Sequence, residues 1–101
     1  MGNAYNDLKE YKKAIDCHDQ VLQIDPKHIN ALNNKGLAYH NLKENLKAIN
    51  CYDQVLQIDP RNINAFNYKG IAYNDLKEYK IAIDCFDKAL QIDPKNINVL
   101  N

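Results

Sequence analysis

The sequence repeats itself every 34 residues, and this periodicity constrains the fold more than any other feature. Proline, glycine and cysteine each occur three times, and each recurs at the same step: Pro26, Pro60 and Pro94; Gly2, Gly36 and Gly70; Cys17, Cys51 and Cys85. A Leu-Gln-Ile-Asp-Pro segment closes each period. Because 34 residues is the length of one helix–turn–helix unit, the period predicts a stack of helical hairpins.

Apolar residues within each period fall at steps of three and four, which is typical of one face of an α-helix. In the middle unit, Leu32, Gly36 and Tyr39 mark the first helix. Ile49 and Tyr52 belong to the second helix, which must end before the proline because proline cannot continue a helix. Helices are predicted at 1–8, 11–24, 30–42, 45–58, 64–76 and 79–92, with a short helical segment at 97–101. This pattern predicts an all-α fold.

The composition excludes several classes of function. Thirteen basic and thirteen acidic residues cancel, so the chain lacks the positive field that gathers nucleic-acid phosphates. No apolar run approaches the ~20 residues that span a bilayer, and no signal peptide is recognisable. The sequence contains neither Ser nor Thr, which removes the usual hydroxyl nucleophiles and the N-glycosylation acceptor. We therefore expect an intracellular, cytoplasmic protein that binds neither nucleic acid nor membrane.

The repeated motifs resemble the tetratricopeptide repeat family, whose units carry a large apolar residue, Gly-x-x-Tyr, Ala-x-x-x-aromatic and Pro. Two units match throughout: Leu32, Gly36, Tyr39, Ala48, Tyr52 and Pro60, then Phe66, Gly70, Tyr73, Ala82, Phe86 and Pro94. The first unit supplies Gly2, Tyr5, Ala14 and Pro26, with His18 at the aromatic position. Lys35 and Lys69 depart from the family, which more often has leucine there; we expect their stems to lie on apolar surface with the ammonium groups in water.

The resemblance implies a right-handed α-solenoid of stacked antiparallel helix hairpins with a 34-residue repeat. It also implies one array over residues 1–101, made of a truncated repeat 1–28, the repeats 29–62 and 63–96, and a stub of the next repeat at 97–101. Family members of this kind bind proteins or extended peptides. The expected function is therefore a protein-interaction module with no enzymatic activity and no cofactor.

In the family, the first helix of each hairpin lines a concave groove. On this sequence the groove positions are Asn3, Asn6, Asn30, Asn33, Leu37, His40, Asn41, Asn64, Asn67, Ile71, Asn74, Asp75 and Asn98. An amide side chain carries both a donor and an acceptor, so a column of asparagines can pair with the backbone of an extended peptide. Coding bias toward A+T-rich codons, together with helix capping by Asn62 and Asn96, explains the same asparagines equally well. Both explanations remain open at this point.

A second mode of binding known in the family is a clamp of lysine and arginine side chains on a terminal carboxylate. Asn3 and Asn34 match the asparagine positions of that clamp, but Asn64 and Tyr68 stand at basic positions. Without the cations, the charge-assisted hydrogen bonds of the clamp are lost. We do not expect this chain to bind a peptide in that way.

We also expect no disulfide, no metal site and no catalytic group among the cysteines and histidines. Equivalent residues of stacked hairpins are on the order of 10 Å apart, whereas a disulfide needs Cα atoms within about 7 Å and zinc ligands must converge on one point. We expect three free, semi-buried thiols and no metal. His18 replaces a packing residue, His28 lies in a loop, and His40 faces the groove without a nucleophile beside it.

The 34-residue frame also suggests how copies of the chain could associate. Both ends fall inside a helix of the frame, so the final helix exposes Ile83, Phe86 and Leu90 where a further hairpin would pack. Only Ile97, Val99 and Leu100 are left to cover them. The sequence thus predicts head-to-tail homo-association. The alternative function is a structural scaffold or a self-assembling segment of a longer superhelix.

Overall fold

Five α-helices make up residues 4–94, the part of the chain that the structure, a computed structural model, describes. They are α1 (Ala4–Ile24), α2 (Ile29–Asn41), α3 (Asn45–Ile58), α4 (Ile63–Asp75) and α5 (Tyr79–Ile92). Helices α2 and α3 form one hairpin and α4 and α5 the next, while α1 packs on α2 and α3 packs on α4. No strand occurs among the described residues. The predicted all-α solenoid of stacked hairpins is confirmed.

The two hairpin turns have the same backbone geometry. Lys43 and Lys77 have φ values of 62° and 64°, in the left-handed region that costs a non-glycine residue about 1–2 kcal/mol. Each turn is closed by backbone hydrogen bonds, in which the N–H of Glu44 donates to the carbonyl of Tyr39 at 2.9 Å and Glu78 donates to Tyr73 at the same distance. The cost of the turn is offset only when the two helices then pack together.

The predicted break between helices 1–8 and 11–24 is wrong, because α1 is one continuous helix of 21 residues. The sequence there, Leu8-Lys9-Glu10, matches the other turns, but a turn would again require a left-handed lysine. Among the described residues, no separate preceding helix packs on residues 11–24 as α2 packs on α3, so nothing offsets that cost. Continuous helical hydrogen bonding is therefore the better solution for good helix formers. One consequence is that Ile24, which lacks an inner helix to cover it, is 88% exposed.

Side chains cap the two inner helices at their N-termini. Asn62 Oδ1 accepts from the Ala65 N–H at 2.8 Å, which confirms the predicted cap. His28, predicted only as a loop residue, plays the same part for α2, since its Nδ1 accepts from the Ala31 N–H at 3.0 Å. These caps fix where α2 and α4 begin and hence which residues reach the groove.

The core lies between α2, α3 and α4, and Tyr52 is its centre. Its side chain is 1% exposed and Val55 beside it is fully buried. The ring lies directly over Gly36 of α2, where an added Cβ would be only 2.9 Å from its Cζ atom. On the opposite side it meets the ring of Tyr68 on α4, with 5.6 Å between centroids. One aromatic side chain thus connects its own hairpin to the next.

Ion pairs between successive units were not foreseen from the sequence. Lys35 and Lys69 were expected to lay their stems on apolar surface with the ammonium groups in water; in addition, Lys35 Nζ lies 2.7 Å from Asp19 Oδ1 and Lys69 Nζ lies 2.7 Å from Asp53 Oδ1. Burial acts to lower the pKa of each lysine, but the hydrogen bond and charge of the aspartate outweigh it and raise the pKa. Each lysine therefore joins an inner helix to the outer helix of the preceding unit.

The cysteines occupy equivalent positions on α1, α3 and α5, but their burial differs from the uniform semi-burial expected. Cys51 and Cys85 are buried, and burial raises the pKa of both thiols. Cys17 is exposed because α1 has no hairpin partner to cover it. None of the helices within residues 4–94 has the length and hydropathy to cross a membrane.

Candidate functional site

The family resemblance assigns the groove to α2 and α4, which contact each other. Their candidate groove residues sit at positions 34 apart, so equivalent side chains form columns from one unit to the next. The pairs are Asn30 with Asn64, Asn33 with Asn67, Leu37 with Ile71, His40 with Asn74, and Asn41 with Asp75. These ten candidates all belong to the described part of the chain, and the structure places them on two adjacent helices.

Asn33 is more deeply placed than the sequence suggests. We expect from the sequence that Asn33 and Asn67 face solvent in the free protein, but Asn33 is only 6% exposed and Asn67 is half-buried. Helix α2, which carries Asn33, is contacted by α1, α3 and α4. Among the described residues no further inner helix follows α4, so Asn67 stays more open than its equivalent.

The amide oxygens of both asparagines are unsatisfied. Asn33 Oδ1 and Asn67 Oδ1 are buried with no hydrogen-bond partner, as is Asn45 Oδ1 at the start of α3. A buried acceptor left without a donor typically costs about 1–3 kcal/mol. At two repeat-equivalent groove positions, the amide oxygens thus accept no hydrogen bond from the described residues of the chain.

Replacing Asn33 with leucine is expected to stabilise the free chain by about 1 kcal/mol, because the apolar side chain has the same branching and number of heavy atoms and removes an unpaired buried acceptor. Urea denaturation followed by circular dichroism measures the change. Asn30→Leu is the matched control: Asn30 is exposed on the same helix, and the expected change stays within about 0.5 kcal/mol. A loss of stability in Asn33→Leu larger than in the control would show that the amide has a partner in the free protein.

The two inner helices are joined at their C-terminal ends by His40 and Asp75. His40 Nε2 lies 2.5 Å from Asp75 Oδ2, and the side chains are 26% and 45% exposed. Both residues are groove candidates from the sequence, but their contact was not predicted. His40 and Asp75 are 35 residues apart, which is one period plus one residue. They therefore belong to neighbouring columns, and this spacing could have indicated their contact.

The remaining groove positions supply an apolar centre and polar edges. Leu37 is half-buried and Ile71 is 43% exposed, so an apolar strip runs between the two helices. Asn30 and Asn64 are exposed near the N-terminal ends of the helices. None of the ten described groove candidates is a lysine or an arginine. The surface can therefore offer amide hydrogen bonds and apolar contact, and its one carboxylate is already engaged.

Some candidates cannot be placed. Five candidates lie outside the described residues: Asn3, Ile97, Asn98, Val99 and Leu100. Asn6 is on α1, at a position where the structure describes the backbone alone, and α1 forms no separate inner helix there. Within the described range, no group of three or more His, Cys, Asp or Glu side chains could hold a metal ion.

Comparison with protein families identifies the repeat. The model described as "Tetratricopeptide repeat" matches residues 29–62 and again 63–96, and a second model described as "TPR repeat" matches residues 2–43. Together these matches extend over most of the chain. No curated protein matches the sequence.

Among the solved structures with the same fold, three differ in the share of each chain that the match covers. The first TPR of Spaghetti (RPAP3), bound to the HSP90 peptide SRMEEVD, has a TM-score of 0.86 and 24% identity over 96% of this chain and 77% of that one. The Sgt2 TPR domain from Aspergillus fumigatus has a TM-score of 0.80 and 31% identity, covering 86% of this chain and 58% of that one. MamA has a TM-score of 0.81 and 30% identity, and the match covers 85% of this chain but 50% of MamA.

Proposed function

Because the chain belongs to the tetratricopeptide repeat family, we propose that it is a non-catalytic interaction module that holds an extended peptide in the groove between α2 and α4. In this proposal, residues 29–62 and 63–96 are two complete repeats, and residues 1–28 are a truncated one. Two structures with the same fold were solved with bound peptides: the first TPR of Spaghetti with an HSP90 peptide and the second TPR domain of human RPAP3 with an HSP70 peptide.

One observation supports the groove as the binding site above the others. Asn33 and Asn67 occupy equivalent positions of two repeats, and each keeps a buried amide oxygen without a partner. Polar groups that destabilise a free protein are characteristic of functional surfaces. A third such amide oxygen, that of Asn45, lies at the start of α3 outside the groove, so the support comes from the recurrence at equivalent positions of two repeats, which coding bias alone does not explain.

The amide chemistry suits a peptide backbone. In the proposed complex, the Nδ2 group of each asparagine donates to a peptide carbonyl oxygen, and rotation of the side chain brings the buried Oδ1 to a peptide N–H. An apolar side chain of the ligand packs between Leu37 and Ile71. Since the asparagines contact backbone atoms, the affinity should depend weakly on the ligand's sequence.

The groove is not suited to a carboxylate clamp. Asn64 is exposed, and Tyr68 has its ring against Tyr52, so neither position supplies a cation. We therefore propose that a ligand's C-terminal carboxylate contributes nothing to binding by this chain. Peptides selected for binding should keep their affinity when the terminal carboxylate is replaced by an amide.

The double substitution Asn33→Ala and Asn67→Ala tests the proposal. A peptide selected by display against the wild-type chain should bind the variant more weakly by about 1–3 kcal/mol, because its backbone groups lose their partners while remaining desolvated. Isothermal titration calorimetry measures the difference. The variant should keep its helical circular dichroism spectrum.

Asn50→Ala is the matched control, since Asn50 is an exposed asparagine on the outer helix α3. It should leave the affinity unchanged. Equal affinities for the wild type and the double variant would contradict the proposal and favour coding bias as the explanation for these asparagines.

A second candidate, a scaffold or self-assembling segment, is favoured by one specific observation. Ile83 on α5 is 56% exposed, whereas the equivalent Ile49 on α3 is 5% exposed. A large apolar side chain is thus left uncovered where the preceding unit buries its counterpart.

A further inference from the structure

A cleft of about 380 Å³ lies at one end of the second hairpin, where the loop between α3 and α4 meets the last turns of α5. Its volume is within the range of small-molecule binding sites, which is about 300–1,000 Å³. Six residues line this second cleft: Pro60, Arg61, Phe66, Lys88, Gln91 and Ile92. None of them is a candidate residue of the groove, so the second cleft is a separate surface.

The preceding unit has a first cleft of the same volume at the equivalent place. Three positions line both clefts, one period apart: Pro26 and Pro60, Leu32 and Phe66, and Gln54 and Lys88. The first cleft is open although α4 and α5 follow it in the chain. Because the helices of the next unit do not fill it, the opening is a property of the repeat itself.

The two clefts differ in charge. The lysine that lines the first cleft, Lys35, is paired with Asp19 of the same lining. The second cleft is lined by the cations Arg61 and Lys88, and none of its lining residues is acidic. Neither cation has an ion-pair partner within residues 4–94. The second cleft therefore carries two positive charges that no carboxylate of the described chain compensates.

The local contacts leave both cations able to bind a ligand. Asp59, the acid nearest to Arg61 in the sequence, accepts from the Arg61 backbone N–H at 3.2 Å and from Asn62 Nδ2 at 3.3 Å. Its carboxylate thus organises the loop, while the guanidinium of Arg61 keeps its donors. Lys88 Nζ lies 5.8 Å from the centroid of the Phe66 ring, so an ammonium group stands at an aromatic surface.

We propose that the second cleft binds a small aromatic carboxylate. The carboxylate group pairs with Arg61 and Lys88, and charge-assisted hydrogen bonds of this kind are stronger than neutral ones. The ring of the ligand packs on Phe66 and Ile92, which are half-buried, and on the adjacent Pro60. A carboxylate without a ring loses the second set of contacts, and a neutral aromatic amide loses the first.

The test titrates the full chain with 3-phenylpropionate and, for comparison, with 3-phenylpropanamide and acetate. In ¹H–¹⁵N NMR, 3-phenylpropionate should shift the backbone resonances of Arg61, Phe66 and Lys88 and leave those of Asn33 and Asn67 in place. It should bind about tenfold more tightly than the amide or acetate. Sodium chloride at about 0.5 M should weaken 3-phenylpropionate but not the amide, because salt screens exposed charges.

Two variants of the chain test the role of the cations. Lys88→Gln, which introduces the residue of the first cleft, and Arg61→Gln should each weaken 3-phenylpropionate about fivefold and leave the affinity for the amide unchanged. Both side chains are exposed, so the circular dichroism spectrum should not change. Lys80→Gln on α5 and Lys27→Gln, the equivalent of Arg61 in the first unit, are matched controls that should have no effect.

Three results would overturn the proposal. The first is the absence of shifts at millimolar 3-phenylpropionate, or equal binding of the acid and the amide. The second is a set of shifts that persists when Lys88→Gln and Arg61→Gln are combined, which would place the probe elsewhere. The third is a nuclear Overhauser contact between residues 97–101 and the Phe66 ring in the free chain, which would assign the cleft to the chain itself. None of these results bears on peptide binding by Asn33 and Asn67, so the two proposals can fail separately.

Discussion

Tyr52→Ala is expected to lower the free energy of unfolding by about 3–5 kcal/mol, the usual cost of removing a buried aromatic side chain. Tyr52 is 1% exposed and packs on Gly36 of its own hairpin and on Tyr68 of the next. Its loss therefore leaves a cavity at the contact between units. Since small domains have a total stability of about 5–15 kcal/mol, the variant should be close to unfolding at 25 °C.

Urea denaturation measures the loss of stability, and two further variants show where in the structure it arises. Tyr52→Phe keeps the ring, so the loss should be below about 1.5 kcal/mol. Phe86→Ala removes the equivalent ring from α5, where it is only half-buried, and should cost clearly less than Tyr52→Ala. Equal losses for Tyr52→Ala and Phe86→Ala would contradict the placement of the core between α2, α3 and α4.

The second large effect is expected from Gly36→Ala. Alanine is the better helix former by about 1 kcal/mol, so the substitution would stabilise an exposed helix. Here the new Cβ would lie against the Tyr52 ring, 2.9 Å from Cζ and 3.0 Å from Cδ1, and the buried ring has no space to move into. Overpacking of this kind costs about 1–3 kcal/mol or more, and we expect a net loss of about 2–3 kcal/mol.

Gly70→Ala provides the matched comparison. Its Cβ would meet the Phe86 ring at nearly the same distances, 2.8 Å from Cζ and 2.9 Å from Cδ1. Phe86 is half-buried, so its ring can shift toward solvent. Thermal unfolding should show a much smaller loss for Gly70→Ala than for Gly36→Ala. The opposite order would mean that the Phe86 ring is held as firmly as that of Tyr52.

The fold could be predicted because one repeated pattern encodes it. The 34-residue period locates the hairpins, and the prolines and the Leu-Lys-Glu turns locate the helix ends. The same logic fails for α1, where Leu8-Lys9-Glu10 repeats the turn sequence without the packing that stabilises a left-handed lysine. A local motif predicts a turn only when the helices on both sides can make their contacts.

The groove could be predicted less completely. The family frame predicts which residues of α2 and α4 belong to it, but periodicity does not reveal how closely the two helices approach. The burial of Asn33 and the contact of His40 with Asp75 follow from that distance. The ion-pair partners of Lys35 and Lys69 could have been predicted from the sequence, since Asp19 and Asp53 precede them by the same 16 residues.

The central claim is that the asparagines of α2 and α4 hold a peptide backbone. Its most direct test is the measurement of intermolecular nuclear Overhauser effects from the side-chain amide protons of Asn33 and Asn67, in the chain saturated with a selected peptide. The account predicts cross-peaks from both amides to peptide α-protons, which places an extended backbone across the two repeats. Cross-peaks from the peptide to other surfaces, with both amides unaffected, would contradict it.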